Sequence, residues 1–293
     1  MSTLAAQLGN QDGRSAPSLV ANVRTIAHRE LRDALRSRWF VLYTVAFVVL
    51  GLAVSFVSAA GTGGTGLAGF GRTTAGLINL VLLVVPLMAL TAGASAIASD
   101  RERGMLAYLL AQPVSRSEVV LGKYLGLGSA LFAAITLGLG ACAAILAAKG
   151  VRASPGSILW LTGLSLMLAL GMLSVGMLIS VLARRASVAV GTAIFVWLSL
   201  VFVSDLALMA GAVALRIRIE RLFALSCINP LQVFKMWSLH AADASLDVLG
   251  PAGLYATEEF GPALHAIFAG CLGAWILVPL AAAAVLLERR SPL

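Results

Sequence analysis

Few side chains in this chain could do chemistry, and most of them lie in or beside long apolar runs. Asp205 is the only carboxylate inside the six longest runs. Carboxylates within a membrane often mark transport routes. Because Asp205 lies near the end of its run, we expect it at the membrane–water interface, and proton transport would need more buried titratable groups.

Several sulfur and imidazole side chains have the chemistry of copper ligands. Met167, Met172 and Met177 are five residues apart, and each step turns about 140° around a helix, so the three share no face. A second group flanks the later loop region: Cys227, Met236, His240 and His265. No two of these four have the close spacing of a metal site, and we expect this chain to bind no metal ion.

The motifs of nucleotide binding and catalysis are missing from the sequence. Gly122-Lys123 resembles the end of a P-loop, but Ser117 replaces its first glycine and Tyr124 replaces its hydroxyl residue. The sequence contains no HExxH motif and no Ser/His/Asp grouping with motif support. We therefore expect the chain to be neither an enzyme nor the holder of a cofactor.

These residues are positioned by a very apolar chain: 60% of the 293 residues are hydrophobic, 12% are charged, and the mean hydropathy is +0.96. A membrane helix needs about 20 apolar residues. Six stretches reach that length, without the alternation of a barrel strand: Trp39–Ala59, Thr74–Ala98, Tyr124–Ala148, Ser157–Leu182, Val188–Leu208 and Leu264–Leu287. The sequence therefore predicts an all-α integral membrane protein with six transmembrane helices.

Positive charges indicate how these helices are oriented. With the N-terminus in the cytoplasm, 14 of the 21 lysines and arginines lie on the cytoplasmic side. Four of the other seven lie in one long loop, which counts less in the positive-inside rule. We therefore expect both termini in the cytoplasm. The net charge of +8 follows from this orientation in a lipid bilayer and does not indicate nucleic-acid binding.

A charged island, residues 99–123, separates the second and third runs and predicts a structured turn in water. Asp100, Arg101, Glu102 and Arg103 precede Gly104 at its start. Ser115 and Glu118 form a capping box, and Pro113 ends any helix before it. We expect a short, rigid, charged helix between two spans, on which a soluble partner could push.

The residues before the first span divide into two parts. Residues 1–17 are polar, which predicts disorder. Residues 18–38 place apolar side chains at helical spacing and arginines on the remaining arc. Such a basic amphipathic helix lies along the inner membrane surface. Contact with lipid alone and contact with both lipid and a soluble partner remain open.

Residues 209–263 form an enlarged outer segment between the fifth and sixth spans. Asn229 as cap, Pro230 as first helical residue and Gln232 as reciprocal cap predict a short helix through about His240. The segment is either a solvated connector or a docking surface for a periplasmic partner, and its length favours docking. The residues expected to dock are Arg216, Arg218, Arg221, Asn229, Pro230 and Lys235.

The island carries a resemblance to a known family. Glu102-Arg103-Gly104 after the second span, Pro113-Val114-Ser115-Arg116 and Gly122-Lys123 before the third resemble the ABC-2-type transporter permeases. The six spans and the amphipathic helix, residues 39–293 and 18–38, agree with the fold of that family, also called type V exporter-like. Ala27–Leu31, Arg101–Lys123 and Asn229–Lys235 are similar to the NosY branch of the family.

This resemblance implies partners. They are a second copy of the chain, a separate NosF-like ATPase that holds ATP and Mg²⁺, and a NosD-like periplasmic β-helix protein, all at a bacterial inner membrane. Residues 99–123 become the coupling segment for the ATPase, and residues 183–187 a second, weaker contact. The implied coupling residues are Arg101, Glu102, Arg103, Gly104, Gln112, Pro113, Ser115, Arg116, Glu118, Arg184 and Arg185.

The function that the resemblance implies is mechanical. ATP-driven motion passes through the permease to the periplasmic partner, which assembles the copper site of nitrous oxide reductase. Gly104 allows close backbone approach to the ATPase, and copper need not cross through this chain. The alternative is an ABC-2 exporter permease for a drug, lipid or peptide. A stand-alone channel or membrane anchor would have no ATPase partner.

Overall fold

The chain folds as a bundle of long helices, described here from a computed structural model. The structure describes residues 19–61, 67–112, 114–148, 155–213, 218–241 and 259–289. Within these residues the secondary structure is helical and there is no strand. The elements are α1 (Leu19–Arg36), α2 (Arg38–Gly61), α3 (Leu67–Glu102), α4 (Met105–Leu110), α5 (Arg116–Ala148), α6 (Pro155–Leu182), α7 (Ala186–Leu198), a π-helix (Ser199–Val203), α8 (Ser204–Val213), α9 (Ile219–Ile228), α10 (Pro230–Ala241), a 3-10 turn (Gly261–Ala263) and α11 (Leu264–Arg289).

Among the described residues, six helices are long and apolar enough to cross a membrane, which confirms the predicted fold class. They are Arg38–Val57, Thr74–Glu102, Arg116–Ala148, Gly156–Leu182, Ala186–Ala207 and Leu264–Arg289, called spans one to six below. Each one contains or closely matches a predicted stretch. The second and third spans start earlier or end later than hydropathy suggested, because their polar ends continue the same helices.

Spans two and four form the centre of the bundle. In the most apolar part of these two spans 67% and 72% of the residues are buried, against 11% in span five. Gly93 and Gly176 bring the two helices into backbone contact: a Cβ on Gly93 would lie 2.6 Å from the Leu173 carbonyl oxygen. Small residues allow such close approach between membrane helices, where packing rather than the hydrophobic effect drives association.

The turn between spans two and three differs from the prediction. The charged residues Asp100 to Glu102 continue the helix of span two, and the short helix that follows, α4, is apolar: Met-Leu-Ala-Tyr-Leu-Leu. The predicted charged helix is therefore wrong. Gly104 has φ 72°, and apart from its two chain neighbours no atom of the described residues lies within 4 Å of where a Cβ would be. Within this chain, the left-handed turn itself explains the glycine.

Helix α1 forms over nearly the same residues as predicted, and one side of it packs against protein. Its inner side places Ile26, Ala27 and Glu30 against Gly122 and Gly126 of span three. A Cβ on Gly126 would lie 2.5 Å from the Ala27 carbonyl oxygen. The arginines lie on the exposed side, together with Val20 and Leu35, which were predicted to belong to the apolar face. Helix α1 is therefore part of the bundle as well as a surface helix.

The outer segment also folds back onto the bundle. Helix α10 runs from Pro230 to Ala241, close to the predicted end, and most of its side chains are buried. The Leu231 N–H donates to Asn229 Oδ1 at 2.9 Å, as a cap should. Gln232 is not the reciprocal cap: its side-chain amide donates to the Asp205 carboxylate of span five. Residues 1–18 and 242–258, including the stretch predicted to be disordered, lie outside the described residues.

Candidate functional site: the coupling segment

The return into span three is built as predicted. The Glu118 N–H donates to Ser115 Oγ, and the Ser115 N–H donates to Glu118 Oε2, both at 3.2 Å, which completes the capping box. Glu118 Oε2 also accepts a hydrogen bond of 3.0 Å from the Asn22 side-chain amide. The capping box therefore attaches helix α1 to the start of span three, a link that the sequence did not reveal.

Arg101 and Glu102 connect span two to the turn between spans four and five. Arg101 Nη1 donates to the carbonyl oxygen of Ala183 at 2.6 Å, just after the end of span four. Glu102 Oε2 accepts a hydrogen bond of 3.2 Å from the Ala186 N–H, the first residue of α7. A cation at a helix C-terminus and a carboxylate at a helix N-terminus both stabilise the ends where they lie. Both predicted ATPase contacts thus have partners inside this chain.

Arg116 makes a similar connection to span six. Its Nη1 donates to the carbonyl oxygens of Leu287 and Glu288, at 3.1 and 2.9 Å, at the C-terminal end of α11. These acceptors belong to the last turn of a helix, where carbonyl groups have no partner in the helix itself. Arg101 and Glu102 therefore connect span two to the turn between spans four and five, and Arg116 connects span three to the end of span six.

A buried ion-pair cluster at the same end of the bundle was not predicted. Lys123 is only 3% exposed, and its Nζ lies 2.9 Å from Glu30 Oε2 and 2.7 Å from Asp100 Oδ2. We call these three residues the Lys123 triad; it joins α1, span two and span three. Burial raises the pKa of Glu30 above its ordinary value, although Lys123 acts against this shift. The triad holds two carboxylates around one buried cation.

The sequence contained a weak signal for this triad. Glu30 interrupts the arginine-rich arc of α1, and Lys123 lies between two glycines, Gly122 and Gly126, spaced by one helical turn. Such a pair of small residues indicates a groove for another helix. Sequence spacing does not show which helix fills the groove, so the partners of Lys123 could not be inferred from it.

An exposed patch remains at the tip of the turn, facing away from the bundle. Tyr108 is 64% exposed and Met105 is 37% exposed, both on α4. Arg103, Gln112 and the second turn's Arg184 and Arg185 are exposed beside or near them, and Ser115 is exposed at the return. Pro113 lies outside the described residues. We call Arg103, Met105 and Tyr108 the tip patch. Because polar residues lie on both sides of α4, we expect the patch in water rather than in lipid.

The predicted docking residues of the outer segment divide into two groups. Arg218 and Arg221 are exposed, and Lys235 is half-buried. Asn229 and Pro230 are buried, and the structure gives Asn229 an internal role. Arg216 lies outside the described residues.

Asn229 joins the outer segment to an irregular turn in span five. Its side-chain amide donates to the carbonyl oxygen of Leu200 at 2.7 Å, within the π-helix Ser199–Val203. A π-helix disturbs the regular backbone hydrogen bonds of a helix. The same side chain therefore starts α10 through Oδ1 and supplies a donor to span five through Nδ2. The contact of Gln232 with Asp205 lies one turn further along both helices.

Comparison with known proteins agrees with this architecture. The family model for ABC-2 family transporter proteins matches residues 24–291. The chain is 32% identical over 274 residues to the "Probable ABC transporter permease protein NosY" of Stutzerimonas stutzeri, which covers 92% of this chain and 98% of that protein. It is also 32% identical over 229 residues to the protein of the same name from Pseudomonas aeruginosa, covering 76% of this chain and 83% of that protein. With six spans and a charged turn between the second and third, this chain belongs to the ABC-2 family and is a permease subunit of an ABC transporter.

Proposed function

We propose that this permease transmits ATP-driven motion from a separate, NosF-like ATPase to a NosD-like periplasmic β-helix partner that assembles the copper site of nitrous oxide reductase. It acts as a homodimer in the bacterial inner membrane, with both termini in the cytoplasm. ATP and Mg²⁺ bind to the ATPase. The similarity to two proteins named NosY supports this branch of the family over others.

The observation that carries the proposal is the tip patch. Tyr108 and Met105 are large side chains that are exposed at the end of the bundle. Exposed aromatic and methionine side chains next to an arginine are typical of the energetic centre of a protein–protein interface. The ATPase covers this patch, and Arg184 and Arg185 of the second turn contribute the outer part of the same surface.

The hydrogen bonds and ion pairs near the patch support the transmission of motion from the ATPase to the spans. Arg101, Glu102 and Arg116 bind backbone groups of spans four, five and six, and the Lys123 triad binds α1. Movement of the tip therefore moves the ends of several spans together. At the opposite end, Asn229 and Gln232 bind span five, so that movement of this span carries α10 with it.

The test is co-purification of the native complex from detergent-solubilised membranes, with mass spectrometry of the bound proteins. Tyr108→Ala with Arg103→Glu should abolish ATPase association and leave membrane insertion intact. The matched control is Phe132→Ala, which removes an aromatic side chain of similar exposure, 50%, from span three. ATPase retention by the double variant at the wild-type level would refute the proposed surface.

The proteins that co-purify with the wild type distinguish the proposed maturation role from the alternative functions. An ATPase together with a periplasmic copper-binding β-helix protein supports the maturation role. An ATPase alone supports the alternative, an exporter permease for a drug, lipid or peptide. Recovery of neither protein would support a channel or an anchor and would contradict the proposal.

A further inference from the structure

Two histidines meet at the end of the bundle opposite the coupling segment. His240 lies in the last turn of α10, and His265 is the second residue of α11. Their ring centroids are 5.0 Å apart, with an angle of 82° between the rings. The two residues are 25 positions apart in the chain, so that only the packing of α10 against α11 brings them together. From this pair we infer a metal-binding site that goes beyond the proposed function and does not depend on it.

The spacing fits two imidazoles that share one cation. A metal bound to imidazole nitrogen at about 2.0–2.1 Å lies about 3.1–3.2 Å from the ring centroid, so a tetrahedral angle separates two centroids by about 5 Å. The near-perpendicular ring planes allow both rings to turn an edge toward a common point. Neutral imidazole is the commonest metal ligand among side chains.

The surroundings hold the pair in place and leave it accessible. Trp237 contacts the His265 ring at 6.3 Å between centroids, and Trp160 contacts it at 6.1 Å. His265 is exposed, and His240 is half-buried. The indole N–H of Trp237 is buried and lacks an acceptor in the described part of the chain. A water molecule on the metal would place an acceptor in this cluster.

The ligand set indicates the class of cation. Imidazole favours late first-row metals such as Cu²⁺ and Zn²⁺ over Mg²⁺ or Ca²⁺. No third His, Cys, Asp or Glu joins the pair among the described residues. Water or a group from another molecule therefore completes the coordination, and a site with open positions exchanges its metal more easily than a closed one. The site takes one Cu²⁺ or Zn²⁺ ion between α10 and α11.

The test uses the full chain in detergent, purified through a tag that contains no histidine, and Cu²⁺ or Zn²⁺ alone as the probe. The wild type should bind one Cu²⁺ with a two-nitrogen electron paramagnetic resonance pattern. His240→Ala and His265→Ala should each reduce the affinity at least about tenfold, because each removes one of two protein ligands. The matched control is His28→Ala, which removes the third histidine, exposed on α1.

A second measurement guards against misfolded variants. Zn²⁺ that bridges α10 and α11 binds the folded state in preference to the unfolded state and should raise the midpoint of thermal unfolding of the wild type and of His28→Ala. This increase should disappear in both single variants, whose midpoints without metal show whether they are folded. Wild-type affinity in the double variant His240→Ala/His265→Ala, or an equal loss in His28→Ala, would overturn the inference. Because the tip patch is not altered, ATPase association tests the proposed function separately.

Discussion

Replacing Lys123 by methionine should be among the most damaging single changes at the end of the bundle where spans two and three are joined. The substitution keeps most of the length of the side chain but removes the cation that lies 2.7 Å from Asp100 and 2.9 Å from Glu30. Two carboxylates then remain in a site where Lys123 is 3% exposed and Glu30 is 17% exposed. Removing one partner of a buried ion pair costs about 3–5 kcal/mol, because the remaining charge is left without compensation.

The assay is thermal unfolding of the purified chain in detergent. A loss of about 3 kcal/mol should lower the midpoint by about 5 °C for a chain of this size. Arg29→Met is the matched control on the same helix: its ion pair with Asp33 spans 3.6 Å, with side chains 48% and 61% exposed. An exposed pair of this kind contributes about 0.5 kcal/mol or less.

A compensated variant separates charge from packing. Lys123→Met combined with Glu30→Gln and Asp100→Asn leaves no charge in the site, so the cost of an uncompensated buried charge is removed. This triple variant should recover most of the stability lost by Lys123→Met. The electrostatic reasoning fails if Lys123→Met costs no more than Arg29→Met, or if the triple variant is as unstable as the single one.

Three further changes test other parts of the structure by the same unfolding assay. Gly126→Ala should destabilise the chain by about 1–3 kcal/mol, because its Cβ would overlap the Ala27 carbonyl oxygen. The control is Gly140→Ala in the same helix, whose Cβ would meet open space and which should be neutral or stabilising. Asn229→Ala should cost about 1–3 kcal/mol, because it leaves the Leu200 carbonyl and the Leu231 N–H without their partner. Asn229→Asp keeps the cap and should cost less. Equal losses in the two variants would argue against two separate roles of Asn229. Since the pKa of Glu30 is raised in the folded state, its contribution to stability is greatest below its ordinary pKa, about 4.3, and declines as the pH rises through the raised value. We therefore expect the unfolding midpoint of the wild type, relative to that of Glu30→Gln, to fall from about pH 4 to pH 8. A rise over this range would contradict the assigned pKa shift.

The coupling segment is also a structural junction. Arg101 and Glu102 were expected to contact the ATPase, and their contacts in this chain are to the backbone of the turn between spans four and five. Reversing their charges would disturb the bundle itself as well as any interface. For this reason Tyr108 and Arg103, which project from the tip, make a cleaner test of ATPase docking.

Much of the fold could be predicted from the amino-acid sequence alone. Hydropathy and length located all six spans, because a helix is the structure that satisfies its backbone hydrogen bonds within an apolar segment. The capping box at Ser115 and Glu118 and the start of α10 at Asn229 were also predicted correctly. These features are local: the partners lie within three residues of each other, and backbone geometry brings them together.

The contacts that give the site its properties depend on tertiary structure. Lys123 meets Glu30 across 93 positions, Arg116 meets Glu288 across 172, and His240 meets His265 because α10 folds back against α11. A side chain's own sequence neighbourhood does not indicate which helix will lie beside it. Hydropathy determined that these helices lie in a membrane; their packing, through close glycine contacts and helix-end charges, decided which side chains meet.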